Sequence, residues 1–168
     1  HKSSRGLGDV YKRQTWHAAG LVSQLGPTAA VTKIRKYTLD LYKELEKKVD
    51  HSAGLRLNGA LSIAQHKGRW QELQRQATTA QLYDVDVRIL DKDQIKKDYP
   101  IINTDEVIGG ILMPGDGAAD PSGVTHMLAK AARMEGAQIF EKSPVDEILT
   151  KDGKISGVKV KGQKIECE

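Results

Sequence analysis

The chain has 168 residues, 39% hydrophobic and 29% charged, enough for a domain with its own core. No run of about 18 apolar residues occurs, so no membrane-spanning helix is expected; a single cysteine, Cys167, excludes an internal disulfide and points to a reducing compartment. The net charge is +4, but Lys2, Arg5, Lys12 and Arg13 against Asp9 put most of it in residues 1–14, so no basic face is left for phosphate contacts and no nucleic-acid partner is expected.

Residues 1–14 show neither apolar periodicity nor capping signals, and read as a leader outside the fold, of cloning-vector or disordered type. Residues 15–21 follow: Thr15, Trp16, His17, Ala18, Ala19, Gly20 and Leu21. Small side chains let a backbone come close to a flat ligand. Trp16 offers a broad apolar face, and His17 is the one group in the stretch that can be nucleophile, ligand or proton carrier near neutral pH.

Residues 27–49 predict an amphipathic helix, with Val31, Ile34, Leu41 and Leu45 at helical spacing. Lys33, Arg35, Lys36, Lys43 and Lys47 form its expected solvated face. Residues 50–54 break it, leaving His51 as a solvated loop residue. Residues 55–65 look extended, with Leu61 and Ile63 alternating, although Asn58-Gly59 has hairpin chemistry. Residues 68–83 are helical, with Trp70, Leu73, Ala77 and Ala80 on one face, which makes Trp70 a core residue.

Residues 86–90 predict a strand. Asp91 and Gln94 carry the spacing of a capping box for a short helix, which Tyr99-Pro100 ends. Residues 107–113 predict a strand whose Gly109-Gly110 marks a bulge or a close approach. Residues 116–120 read as a turn, with Asp120 capping a helix and Pro121 in its first position. Val124, Met127, Leu128, Ala131 and Ala132 form the apolar stripe of that helix, with His126 on the surface. Asp116 and Asp120 resemble a carboxylate pair, but turn and cap account for both. Residues 137–141 and 144–149 predict strands, the second with Val145 and Ile148 in the core. A hairpin turn at 151–154 leads into a strand over 155–161, and a further strand starts at Lys164.

The stretch Thr15-Trp16-His17-Ala18-Ala19-Gly20-Leu21 resembles the flavin-attachment loop of the FAD-dependent dimethylglycine and sarcosine dehydrogenases. The resemblance continues through Gln24-Leu25-Gly26-Pro27, Asn58-Gly59-Ala60-Leu61, Asp116-Gly117-Ala118-Ala119-Asp120-Pro121 and Ser143-Pro144-Val145. It implies that the loop histidine, here His17, carries FAD covalently, and that the backbone of Val145 lies against the adenine end. It also implies a strand over 55–65, so that Asn58-Gly59 is a bend.

The fold class so implied is mixed α/β: a Rossmann-like FAD-binding domain with a substrate-side domain inserted into it. Residues 15–50 and 118–168 fall to the first and 51–117 to the second. The strand, Gly-x-Gly-x-x-Gly turn and ribose-binding acid of such domains do not precede Thr15, so the chain is expected to be a fragment lacking both ends and inactive by itself. The resemblance implies oxidation of the N-methyl group of sarcosine or dimethylglycine by hydride transfer to FAD. An amine substrate and an electron-transfer flavoprotein are then the expected partners. The expected place is the mitochondrial matrix in a eukaryote and the cytoplasm in a bacterium. A non-catalytic relative that regulates pyruvate dehydrogenase phosphatase shares the architecture; Trp16-His17 argues against that class. No residue is assigned to substrate chemistry and none to a metal.

Overall fold

The computed structural model describes Thr15 and residues 18–167. The chain forms two compact units, His1–Ala131 and Ala132–Glu168.

In the first unit, Leu21–Val22 (β1) leads to the helix Ala29–Val49 (α1). Thr28 starts α1: its backbone is extended and its hydroxyl accepts from the Val31 N–H at 3.3 Å. Pro27 therefore stands just before the cap, not in the first turn. Asp50 ends the helix in a left-handed conformation with φ 47°. Thr32, Leu39, Leu45 and Val49 are the buried residues of α1, whereas Ile34 is 64% exposed. Two residues on from Thr32 is about 200° around a helix, so Ile34 falls on the opposite face. The solvated-face expectation also fails at Arg35 and Lys36. Lys36 Nζ donates to the carbonyls of Tyr83 and Asp84 at 2.6 and 3.2 Å, and Arg35 binds the segment before α1.

Ala60–Ala64 (β2), Arg88–Asp91 (β3) and Gly109–Met113 (β4) form an antiparallel sheet in the order β2-β4-β3. Asn58-Gly59 is not a hairpin turn, because β2 pairs with β4; the two residues lie in an irregular stretch before β2, neither turned nor bent, with Gly59 at φ 86°. Lys67–Gln81 (α2) packs Leu73 and Ala77 onto Ala64, Ile111 and Met113. Trp70 is core, as expected: a Cβ at Gly109 would lie 2.8 Å from its ring. The paired glycines thus mark close approach, and β4 keeps a regular register through them. Lys92–Asp98 (α3) carries both hydrogen bonds of the Asp91–Gln94 capping box, at 2.8 and 2.9 Å. Its Ile95 joins Leu90 and Val107 in a second cluster.

Gly117–Ala118 (β5) and the helix Pro121–Met134 (α4) follow. Asp120 caps α4, its carboxylate accepting from Ser122 and Gly123 at 3.1 and 3.0 Å. Met127 is fully buried against Leu45, Val49 and Ala53, with Val124 and Ala131 beside it. Leu128, expected in that stripe, is 39% exposed; it is not among the residues that pack with Met127 on Leu45, Val49 and Ala53. His51 is half-buried rather than solvated, with its ring edge-on to that of the exposed His126 at 6.3 Å.

In the second unit, Val145–Lys151 (β6), Lys154–Val160 (β7) and Gln163–Glu166 (β8) form an antiparallel meander. Asp152 and Gly153, with φ 53° and 76°, make the expected tight turn. Residues 137–141, predicted as a strand, are not one. An extended segment becomes a strand by pairing, and no described strand pairs with these residues. Val145 and Ile148, predicted as core, are 54% and 61% exposed. The register places Ile148, Val158 and Ile165 in one apolar row on a face of the meander, which three strands alone cannot bury.

Candidate functional site

The residues after the small-residue loop meet two distant parts of the chain. Leu21 and Val22 pair with Ala118 and Gly117. Gly20 O accepts from the Ala119 N–H at 2.8 Å. On its other side Ala118 exchanges hydrogen bonds with Arg56, at 2.8 and 3.0 Å, and Asp120 N donates to Ala53 O. Residues 116–120 are therefore not the simple turn the sequence suggests: the turn is at Pro114-Gly115, and Gly117–Ala118 is a strand between two other backbones. Two glycines make this possible. A Cβ at Gly117 would lie 1.9 Å from Arg56 O, and one at Gly20, where φ is 71°, 2.3 Å from Ala119 O.

Asp116 sits at the centre. It is 3% exposed, and its Oδ1 accepts from the Gln24 N–H at 2.9 Å and from Gln24 Nε2 at 3.5 Å. Burial pushes its pKa above the ordinary aspartate value; the two Gln24 hydrogen bonds and the charge of Arg35 offset part of that. Arg35 donates to Ser23 Oγ at 3.1 Å and to Leu25 O. Thr32 Oγ1 accepts from the Gly26 N–H at 3.0 Å. Leu21, Val22, Ser23, Arg35, Thr38 and Tyr42 line a cleft of about 210 Å³ beside these contacts.

Of the residues proposed for the cofactor from sequence, Trp16 and His17 lie outside the described residues. Thr15 is exposed, and its carbonyl accepts from the Ala18 N–H at 2.9 Å. Ala18 and Ala19 are exposed, Gly20 is half-buried, and Leu21 is 81% exposed. These four fit the ring end of a flavin: small or apolar, uncharged and open, on a backbone fastened at its Gly20–Val22 end. Val145 belongs to the second unit, where it opens the edge strand β6 opposite Val160. Sequence reasoning missed the Asp116–Gln24–Arg35 set. Asp116 and Gln24 are 92 positions apart, and no local spacing rule links them. Among the described residues no cluster of three or more metal-ligating side chains occurs, and no helix is long and apolar enough to cross a membrane.

Residues 8–168 match the family model described as FAD dependent oxidoreductase. Human mitochondrial sarcosine dehydrogenase is 36% identical over 135 residues, which is 80% of this chain and 15% of that protein. The 4-methylaminobutanoate oxidase (formaldehyde-forming) of Paenarthrobacter nicotinovorans is 34% identical over 154 residues, 92% of this chain and 19% of that protein. The chain thus spans less than a fifth of the length of these relatives. Among solved structures, the L-proline dehydrogenase of P. horikoshii superposes with a TM-score of 0.82 at 23% identity, over 91% of this chain and 40% of that one. With its mixed α/β fold and a match that runs nearly its whole length, the chain belongs to the FAD dependent oxidoreductase family.

Proposed function

We propose that this chain is part of a flavoenzyme that oxidises the N-methyl group of an amino acid, sarcosine or dimethylglycine, with FAD attached through His17. The observation that carries the reading is the exposed run of Thr15, Ala18, Ala19 and Leu21 with half-buried Gly20, fastened to β5 at its downstream end, with Trp16-His17 between Thr15 and Ala18 in the sequence. Both relatives point the same way, since each is named for an enzyme of an N-methylamino acid.

FAD, when bound, supplies the two-electron acceptor for such an oxidation. The chain's residues supply the setting. Ala18, Ala19 and Gly20 leave room for close backbone approach, and Leu21 and Trp16 add apolar surface. His17 is the proposed point of attachment, which calls for a neutral imidazole nitrogen, a form a histidine can supply near neutral pH. The backbone of Val145 offers a donor and an acceptor to the adenine end. Residues 15–50 and 118–168 serve the FAD domain and 51–117 the substrate side. An electron-transfer flavoprotein is the proposed acceptor of the electrons, and the mitochondrial matrix the proposed location in a eukaryote.

Acid precipitation of the full-length protein tests the attachment, with flavin fluorescence expected in the pellet. A colourless pellet from folded yellow protein refutes it. Sarcosine or dimethylglycine should bleach the flavin band anaerobically; bleaching by neither favours the regulatory class of relative.

A further inference from the structure

We propose that Asp116, together with Arg35, is a positioning residue that latches the segment following the flavin-attachment loop and so holds that loop in place. The functional half of this statement rests on the attachment reading above; the structural half stands without it.

A histidine that must meet one carbon of a cofactor has to be held to within a fraction of an ångström. The loop is fastened downstream by β1, which has two residues, and a ladder that short has little stability by itself. Between Val22 and Ala29 no regular element supports the chain. What fixes it is a set of side chains. Asp116 takes both the backbone and the side-chain N–H of Gln24, Arg35 holds Ser23 and Leu25, and Thr32 holds Gly26.

Asp116 is suited to be the anchor. Its own backbone is fixed on both sides, donating to Met113 O at 3.2 Å and accepting from Gly59 N at 2.9 Å. Among the described residues its side chain caps no helix and closes no turn, and both of its hydrogen-bond partners lie on Gln24. A buried carboxyl group persists where its hydrogen bonds are made. Arg35 comes from the rigid helix α1 and grips the same segment from there, so the latch ties the loop's exit to two fixed elements.

The test compares full-length protein with its Asp116→Ala, Asp116→Asn and Arg35→Met variants by amide hydrogen exchange and by flavin retained after acid precipitation. In Asp116→Ala, exchange over residues 20–25 should rise about tenfold while α2 keeps its protection, and retained flavin should fall several-fold. Asp116→Asn keeps an acceptor at the same place and should restore protection to within about threefold of the parent. Arg35→Met keeps the packing but not the donors, and should loosen the same residues. If Asp116→Ala does not fold, Arg35→Met decides alone. Unchanged exchange over residues 20–25 in a folded variant overturns the latch. A parent protein without covalent flavin refutes the attachment reading only, and the exchange data still decide whether Asp116 fixes the segment.

Discussion

Single residues at the junction of β1, β5 and Arg56 have narrow tolerances. Gly20 combines a positive φ with a carbonyl in the space of a Cβ. Gly20→Ala should therefore destabilise the protein by at least about 1–2 kcal/mol, read as a lower urea midpoint. Gly136, also at positive φ but with nothing within 4 Å of its Cβ position, should show the conformational cost without the clash. Asp116 makes a prediction with a sign. Its folded pKa is raised by burial, so its contribution to stability is fully present below the unfolded aspartate value and is lost as pH rises through the folded value. Asp116→Asn removes that dependence. The stability of the Asn variant relative to the parent should increase as pH rises from about 3 to 6, followed by thermal melts across the range. A constant difference would show that the carboxyl group titrates as it does in the unfolded chain. None of this was legible locally, because a residue that looks like a turn aspartate has its partners 92 positions away.

At the level of elements, the caps were the most readable feature. Asp91–Gln94 and Asp120-Pro121 announce helix starts within four residues of sequence, and both carry the expected hydrogen bonds. Asp120→Ala should cost about 1 kcal/mol, measured by chemical denaturation, with Asp120→Ser recovering most of the loss. Helix α1 was harder. Its pattern admits more than one apolar face, and the choice between Ile34 and Leu39 depends on what packs against it. Its cations were misread for a related reason: Lys36 reaches the carbonyls just past α2, a contact set by the packing of two helices. Strand propensity over residues 137–141 was real, but propensity makes no strand without a hydrogen-bonding neighbour.

Over the whole molecule, the core of the first unit is built from contacts between segments far apart in sequence. Met127 of α4 closes on Leu45 and Val49 of α1. Met127→Ala should destabilise the protein by about 2–4 kcal/mol, seen in urea unfolding, whereas Leu128→Ala, at a residue 39% exposed, should cost much less. The resemblance led to the class of fold and to the family; the sequence by itself determined the main helices, the tight turn at Asp152-Gly153 and the caps. These depend on periodicity, backbone freedom and short-range hydrogen bonds, which lie within a few residues of one another. Only the tertiary structure decided that Gly117–Ala118 is a strand wedged between Leu21–Val22 and Arg56, that Trp70 lies over Gly109, and that Asp116 grips Gln24. Those arrangements depend on which surfaces meet after collapse, where excluded volume and the cost of an unpartnered buried polar group select one pairing among many that local sequence allows.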